Sequence, residues 1–88
     1  MKMIVAIIRD SDNESVSQAL VKDGFRVTRI ASTGGFLRRG SSTLMIGVED
    51  GRVDAAIQVL KDNTTPPDET SAKRATLFVI PVEHYAQV

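Results

Sequence analysis

Met3-Ile4-Val5-Ala6-Ile7-Ile8 is the stretch on which the fold turns. It is rich in β-branched residues, and Arg9 and Asp10 end it too soon for an ordinary helix, so it reads as a strand. Period two puts Met3, Val5 and Ile7 on one side and Ile4, Ala6 and Ile8 on the other. Both sides are apolar, and a strand apolar on both sides is buried on both. A sheet built around it therefore needs a layer over each face.

Outward from this strand, Ser11 to Glu14 has the S-x-x-E spacing of a capping box, with Val16, Ala19 and Leu20 at helical intervals behind it and Gly24 as its end. Phe25 to Ala31 reads as a second strand, Thr33 to Gly40 as a loop, and Thr43 to Val48 as a third strand. Asp50 is placed to cap a second helix whose Val53, Ala56, Ile57 and Leu60 make one apolar stripe. Asn63 to Lys73, with Pro66 and Pro67, is a loop; Ala75 to Val82 is a fourth strand with the same two-sided apolar pattern, and a short tail follows. The order β-α-β-β-α-β is the split βαβ of the ferredoxin-like α+β fold, an antiparallel four-stranded sheet with two helices on one face. The halves repeat an architecture, not a sequence. Two helices cover one face only, so the expected cover for the other is a second copy of the chain, and a homotrimer is one closed arrangement that supplies it.

The 88 residues, 42% of them apolar and 25% charged, predict a single domain over residues 1–88. Eleven basic residues against eleven acidic ones leave no overall basic field, which argues against a polymeric nucleic acid partner. The first and third strands also lack the aromatics on which RNA-recognition sheets of this fold stack bases. No cysteine is present, so disulfides and thiolate metal sites are excluded. The apolar run near the N-terminus is too short for a signal peptide or a membrane span, and the cytoplasm is the expected compartment. His84, the single histidine, stands beside Glu83 with no second imidazole to complete a catalytic or metal-binding set, and no enzyme is expected. Asp10, Asp12, Asp50 and Asp54 are read as helix caps and first-turn charges.

Chemistry concentrates in two neighbouring segments. Period two puts Arg26 and Thr28 on one face of the second strand and Phe25 and Val27 on the other, and a cation beside a hydroxyl suits an anion. Close behind comes Thr33-Gly34-Gly35-Phe36-Leu37-Arg38-Arg39-Gly40, where paired glycines let backbone amides approach a ligand and Phe36 offers a face for a base. Taken alone, these residues leave two readings open. One is a pocket for a phosphate-bearing nucleobase compound; the other is a plain strand connection with Phe36 plugging the core and the arginines in solvent. The loop matches neither a Walker loop nor a dinucleotide fingerprint.

Six segments together decide between these readings. Met1-Lys2-Met3-Ile4-Val5-Ala6-Ile7, Ala19-Leu20-Val21, Phe25-Arg26-Val27-Thr28, Thr33-Gly34-Gly35-Phe36-Leu37-Arg38, Ile46-Gly47-Val48-Glu49-Asp50 and Phe78-Val79-Ile80-Pro81-Val82-Glu83 resemble the bacterial PII-like cyclic di-AMP receptor family over nearly the whole chain. The resemblance implies a cytoplasmic homotrimer of ferredoxin-like fold that senses a nucleotide without catalysis. It implies cyclic di-AMP as ligand at subunit interfaces, no cofactor or metal, and an unidentified downstream protein partner. Carried over by position, Arg26, Thr28, Gly35, Phe36, Leu37, Ser41, Gly47, Phe78 and Gln87 surround the ligand. In that assignment Thr28 and nearby amides take phosphate or base edges, Phe36 and Leu37 pack on adenine, Arg26 supplies charge, and Gly47 leaves room.

The chain departs from the family pattern in three places. Gly24 and Ser41 stand where the family usually has Asn, and the long excursion before the last strand is cut to Asn63–Lys73. These departures keep an alternative in play: a trimeric PII-like protein that binds ATP or ADP, or one that has lost its ligand and acts as a protein-interaction module.

Overall fold

The β-branched run forms the centre of the sheet. In the computed structural model, which describes residues 1–32, 40–64 and 75–88, strand β1 spans Lys2–Arg9. A 3-10 turn (Asp10–Asp12) leads into helix α1 (Asn13–Lys22), followed by β2 (Arg26–Ser32) and β3 (Ser41–Val48). A second 3-10 turn (Asp50–Arg52) opens α2 (Val53–Asn63), and β4 (Ala75–Pro81) completes the βαββαβ order. The sheet order is β2-β3-β1-β4, antiparallel throughout. Each strand–helix–strand half thus leaves a gap that a strand of the other half fills, which is the ferredoxin-like arrangement. The expected boundaries shift by a residue or two: β1 gains Lys2 and Arg9, β2 runs from Arg26 to Ser32 instead of Phe25 to Ala31, β3 starts at Ser41 instead of Thr43, β4 stops at Pro81 instead of Val82, and Asn63 closes α2 instead of opening a loop.

Strand parity sorts the residues into two faces. Ile4, Ala6 and Ile8 of β1 and Leu44, Ile46 and Val48 of β3 are buried against Val16 and Leu20 of α1 and Ala56 and Leu60 of α2, with Phe25 closing one end. Each fully buried Leu or Ile contributes about 1.5–3 kcal/mol of transfer free energy. The expected α2 stripe is in place, with Val53 and Ile57 partly buried at its margins. On the opposite face no helix lies among the described residues, and Ile7, Phe78 and Ile80 stand exposed at 36%, 53% and 41%.

The C-terminal end of α1 is set by Gly24 at φ +87°, a left-handed conformation that a Cβ disfavours. Phe25 N–H donates to the Leu20 carbonyl at 2.9 Å and Gly24 N–H to the Val21 carbonyl at 3.0 Å. This paired closure is a Schellman motif, and its apolar partners Leu20 and Phe25 are both in the core.

The helix starts correct the sequence reading. Helix α1 does not use a Ser11–Glu14 capping box: Asp12 stands at the N-cap position without a side-chain cap bond, and Asn13 N–H donates back to the Asp10 carbonyl. A tightened first turn satisfies part of what the box would have. Asp50 does not cap α2 either; it lies in the 3-10 turn, with Arg52 N–H bonded to the Glu49 carbonyl at 2.9 Å. The Asp10 and Asp50 carboxylates have other partners. Ser42 Oγ donates to the Asp10 carboxylate, and Asp10 N–H donates to the Gly40 carbonyl at 2.9 Å, tying the end of β1 to the start of β3. Asp50 pairs with the N-terminal ammonium at 2.9 Å.

Candidate functional site

The open sheet face is built in cross-strand rows. One row runs Arg26, Gly47, Met3, Ile80 and the next Thr28, Met45, Val5, Phe78, from β2 at one edge to β4 at the other. Arg26 and Thr28 therefore share the face that period two assigns them, while Val27 pairs with Ile46 on the helix side. At the β2–β3 end, the tail after β4 folds back over these rows. Val82 N–H donates to the Met1 carbonyl at 3.1 Å, and beyond it Arg26 Nη1 donates to Tyr85 Oη and to Gln87 Oε1, each at 2.8 Å.

Between tail and sheet lies a cavity of about 410 Å³. Its floor carries Met3, Met45 and Gly47, its cationic and hydroxyl side Arg26 and Thr28, and its outer wall Val82, His84 and Tyr85. With Met1 at its rim, it gathers all three methionines of the chain. Thioether side chains are soft and adaptable, a lining that fits a flat heteroaromatic ring as readily as an aliphatic one. A second cleft of about 430 Å³ shares Met1, Arg26, Gly47 and Tyr85 with it and adds Gly24, Arg52 and Gln87. A Cβ on Gly47 would come within 3.0 Å of the Met1 methyl, so the room this glycine leaves is taken up by the end of a flexible side chain.

Charge at the site comes from two arginines held in different ways. Arg26 is exposed, with its guanidinium carbon 6.0 Å from the centre of the Tyr85 ring, the outer limit of a cation–π contact, so the hydroxyl bond is the closer tie. Arg52 stacks on the Phe25 ring at 4.3 Å and donates through Nη2 to the Asp23 carbonyl at 3.3 Å, pinning the Gly24 turn to the start of α2. The neighbouring N-terminal ammonium holds the Asp50 carboxyl below its ordinary value, first by hydrogen bonding and then by Coulomb attraction.

The structure gathers part of the expected site set. Arg26, Thr28, Gly47 and Gln87 come together around the two clefts. Phe78 shares a row with Thr28 but sits on the opposite edge strand, three strand spacings or about 14 Å away. Ser41 lies six residues along β3 from Gly47, about 20 Å, beside the end of β1 at Arg9. Gly35, Phe36 and Leu37 lie outside the described residues. Tyr85, Arg52 and the methionines went unnoticed in the sequence. An i, i+2 pair of hydrogen-bonding residues, Tyr85 and Gln87, was the available local signal for the tail, since such spacing puts two side chains on one side of an extended segment.

The family model described as cyclic-di-AMP receptor matches residues 1–74 of the chain. The crystal structure of a functionally unknown protein from Pediococcus pentosaceus ATCC 25745 is similar to it at 30% identity and a TM-score of 0.80, covering 99% of this chain and 96% of that one. The matched residues include Arg26, Thr28 and Gly47; β4 and the tail, with Phe78, Tyr85 and Gln87, follow them.

Proposed function

The chain belongs to the cyclic-di-AMP receptor family, and from that premise we propose that it is a non-catalytic, PII-like sensor that binds cyclic di-AMP at the subunit interfaces of a homotrimer. The observation that carries this reading is the division of the expected site between two edges of one sheet. Arg26, Thr28, Gly47 and Gln87 surround clefts at the β2 edge, while Phe78 stands 53% exposed on β4, across the sheet. One chain cannot close both groups around one nucleotide. Neighbouring subunits that cover each other's open faces bring one copy's β4 edge to another's β2 edge, and the same contact buries Met3, Val5, Ile7 and Ile80.

The roles follow from side-chain chemistry. Arg26 and Thr28 take phosphate oxygens, Phe36, Leu37 and Phe78 pack on adenine, Gly35 and Gly47 allow close approach, Gln87 reads a polar edge, and Ser41, too far along β3 to share Gly47's ligand, does so from another copy. Micromolar affinity requires about −8 kcal/mol. Two stacked bases at ~1–3 kcal/mol each and a few charge-assisted hydrogen bonds at ~1.5–3 kcal/mol each reach that after association costs. We place the protein in the cytoplasm with a protein partner downstream; no helix among the described residues is long and apolar enough to cross a membrane.

The test is isothermal titration with cyclic di-AMP, run beside ATP and cyclic di-GMP. Saturable binding near one ligand per subunit, selective for cyclic di-AMP, is expected. Selective uptake of ATP would replace the ligand assignment, and no heat or thermal shift with any of the three would leave a scaffold that works through protein contacts alone.

A further inference from the structure

Resting on the reading that Arg26 meets a ligand phosphate, we infer that Tyr85, assisted by Gln87, is a positioning residue that holds the Arg26 guanidinium ready for the anion. A guanidinium has five N–H donors. The tail takes both hydrogens of one nitrogen, Nη1, through Tyr85 Oη and Gln87 Oε1, each at 2.8 Å. The Nε and Nη2 edge keeps its hydrogens among the described residues, and that edge has the spacing to meet two oxygens of one phosphate. The two acceptors are neutral, so they orient the cation without cancelling its charge. A carboxylate in either place would compete with the ligand for it.

The tether works in both directions. After Val82, the tail's hydrogen bonds to other described residues all go to Arg26, across sequence separations of 59 and 61. The segment that walls the methionine-lined cavity is therefore held in place by the same side chain that faces the anion. Because the ring centre is 6.0 Å from the guanidinium carbon, the hydroxyl is the atom that matters, and Tyr85→Phe removes it while leaving the ring as cavity wall. A preordered arginine spares the ligand the entropy of immobilising a long side chain, which is how a residue that never touches phosphate raises affinity.

The experiment has a ligand-free arm and a ligand arm. Amide ¹⁵N relaxation of residues 83–88 is measured in the wild type, Arg26→Ala and Tyr85→Phe. The tail should lose order in Arg26→Ala and partly in Tyr85→Phe; unchanged order in Arg26→Ala overturns the tether. Cyclic di-AMP is then titrated into the wild type, both single variants and the double variant. Tyr85→Phe should weaken binding about threefold to tenfold, the loss of one net hydrogen bond's worth of positioning, and should have no further effect once Arg26 is Ala. Equal effects in both backgrounds would mean that Tyr85 acts through packing, and the inference falls. A wild type that binds no cyclic di-AMP refutes the ligand assignment instead, and the same four proteins titrated with pyrophosphate then decide the positioning role by the same criterion.

Discussion

Replacing Gly24 by Ala isolates a single backbone conformation. At φ +87° a Cβ is disfavoured whatever the space around it. Space is ample, because the nearest atom to a Cβ placed there is Arg52 Nη1 at 3.9 Å, the end of a flexible side chain. The cost is then backbone strain alone, roughly 1–2 kcal/mol, set against a gain of about 0.4–1 kcal/mol from a less free unfolded chain. A net loss of about 1 kcal/mol follows, and with a urea slope near 1 kcal/mol per molar for a small domain, the midpoint should fall by about 1 M. Far-UV circular dichroism in urea at fixed protein concentration measures it. Gly24→Asn is the control, since Asn tolerates the left-handed region and should lose less than half as much. A Gly24→Ala protein clearly more stable than the wild type would show that the turn is not left-handed in solution, since strain of at least ~1 kcal/mol is never exceeded by a gain of at most ~1 kcal/mol. Gly24 also lines the cleft shared by Arg26 and Gln87. Asn there adds a side-chain amide to the cleft, and on the proposed reading cyclic di-AMP affinity should rise about threefold to tenfold, one net hydrogen bond.

Val5→Lys puts a charge mid-row on the open face, between Met45 and Phe78; light scattering should show an oligomer for the wild type and a monomer for the variant, and a monomeric wild type at micromolar concentration would refute the assembly. Ser42→Ala removes a buried donor to the Asp10 carboxylate and should lower stability by about 1.5–3 kcal/mol, the range for bonds to a charged group; a change within ~0.5 kcal/mol, typical of neutral surface substitutions, would mean that the bond does not tie β1 to β3. The Asp50 carboxyl is held low in the folded state by the N-terminal ammonium. Its contribution to stability is present above the ordinary carboxylate value and fades as pH falls through the lowered folded one. Asp50→Asn should flatten that acid limb, and an ordinary Asp50 titration by carboxyl ¹³C NMR would remove the pair.

Strand β1 made the faces legible, because alternation is a local property: Ile4, Ala6 and Ile8 could be told from Met3, Val5 and Ile7 without knowing any partner. The same holds for Arg26 and Thr28, and for Gly24, whose role is confined to one turn of backbone. The helix caps failed for the converse reason. S-x-x-E spacing is local, but α1 opens through a 3-10 turn whose first residue, Asp10, is tied to Ser42, 32 residues away, and the Asp50 carboxylate is taken by the N-terminal ammonium. For the site, the sequence named candidate residues but not their arrangement. Sheet order separates Phe78 from Thr28 by the width of the sheet, and only β3 and β1 lying between them reveals it. The tail was opaque for the same reason: nothing near Tyr85 in sequence announces Arg26, whose hydrogen bond to it spans 59 residues.

The methionines have a practical consequence. All three sit at one cavity, so ¹³C labelling of methionine methyl groups gives a spectrum whose every signal comes from the floor or rim of that cavity, with no background from the core. The same grouping makes the cavity the place where peroxide would register, since sulfoxide formation would turn its soft lining polar. Methyl shifts during a nucleotide titration and during mild oxidation would thus be read on the same three resonances.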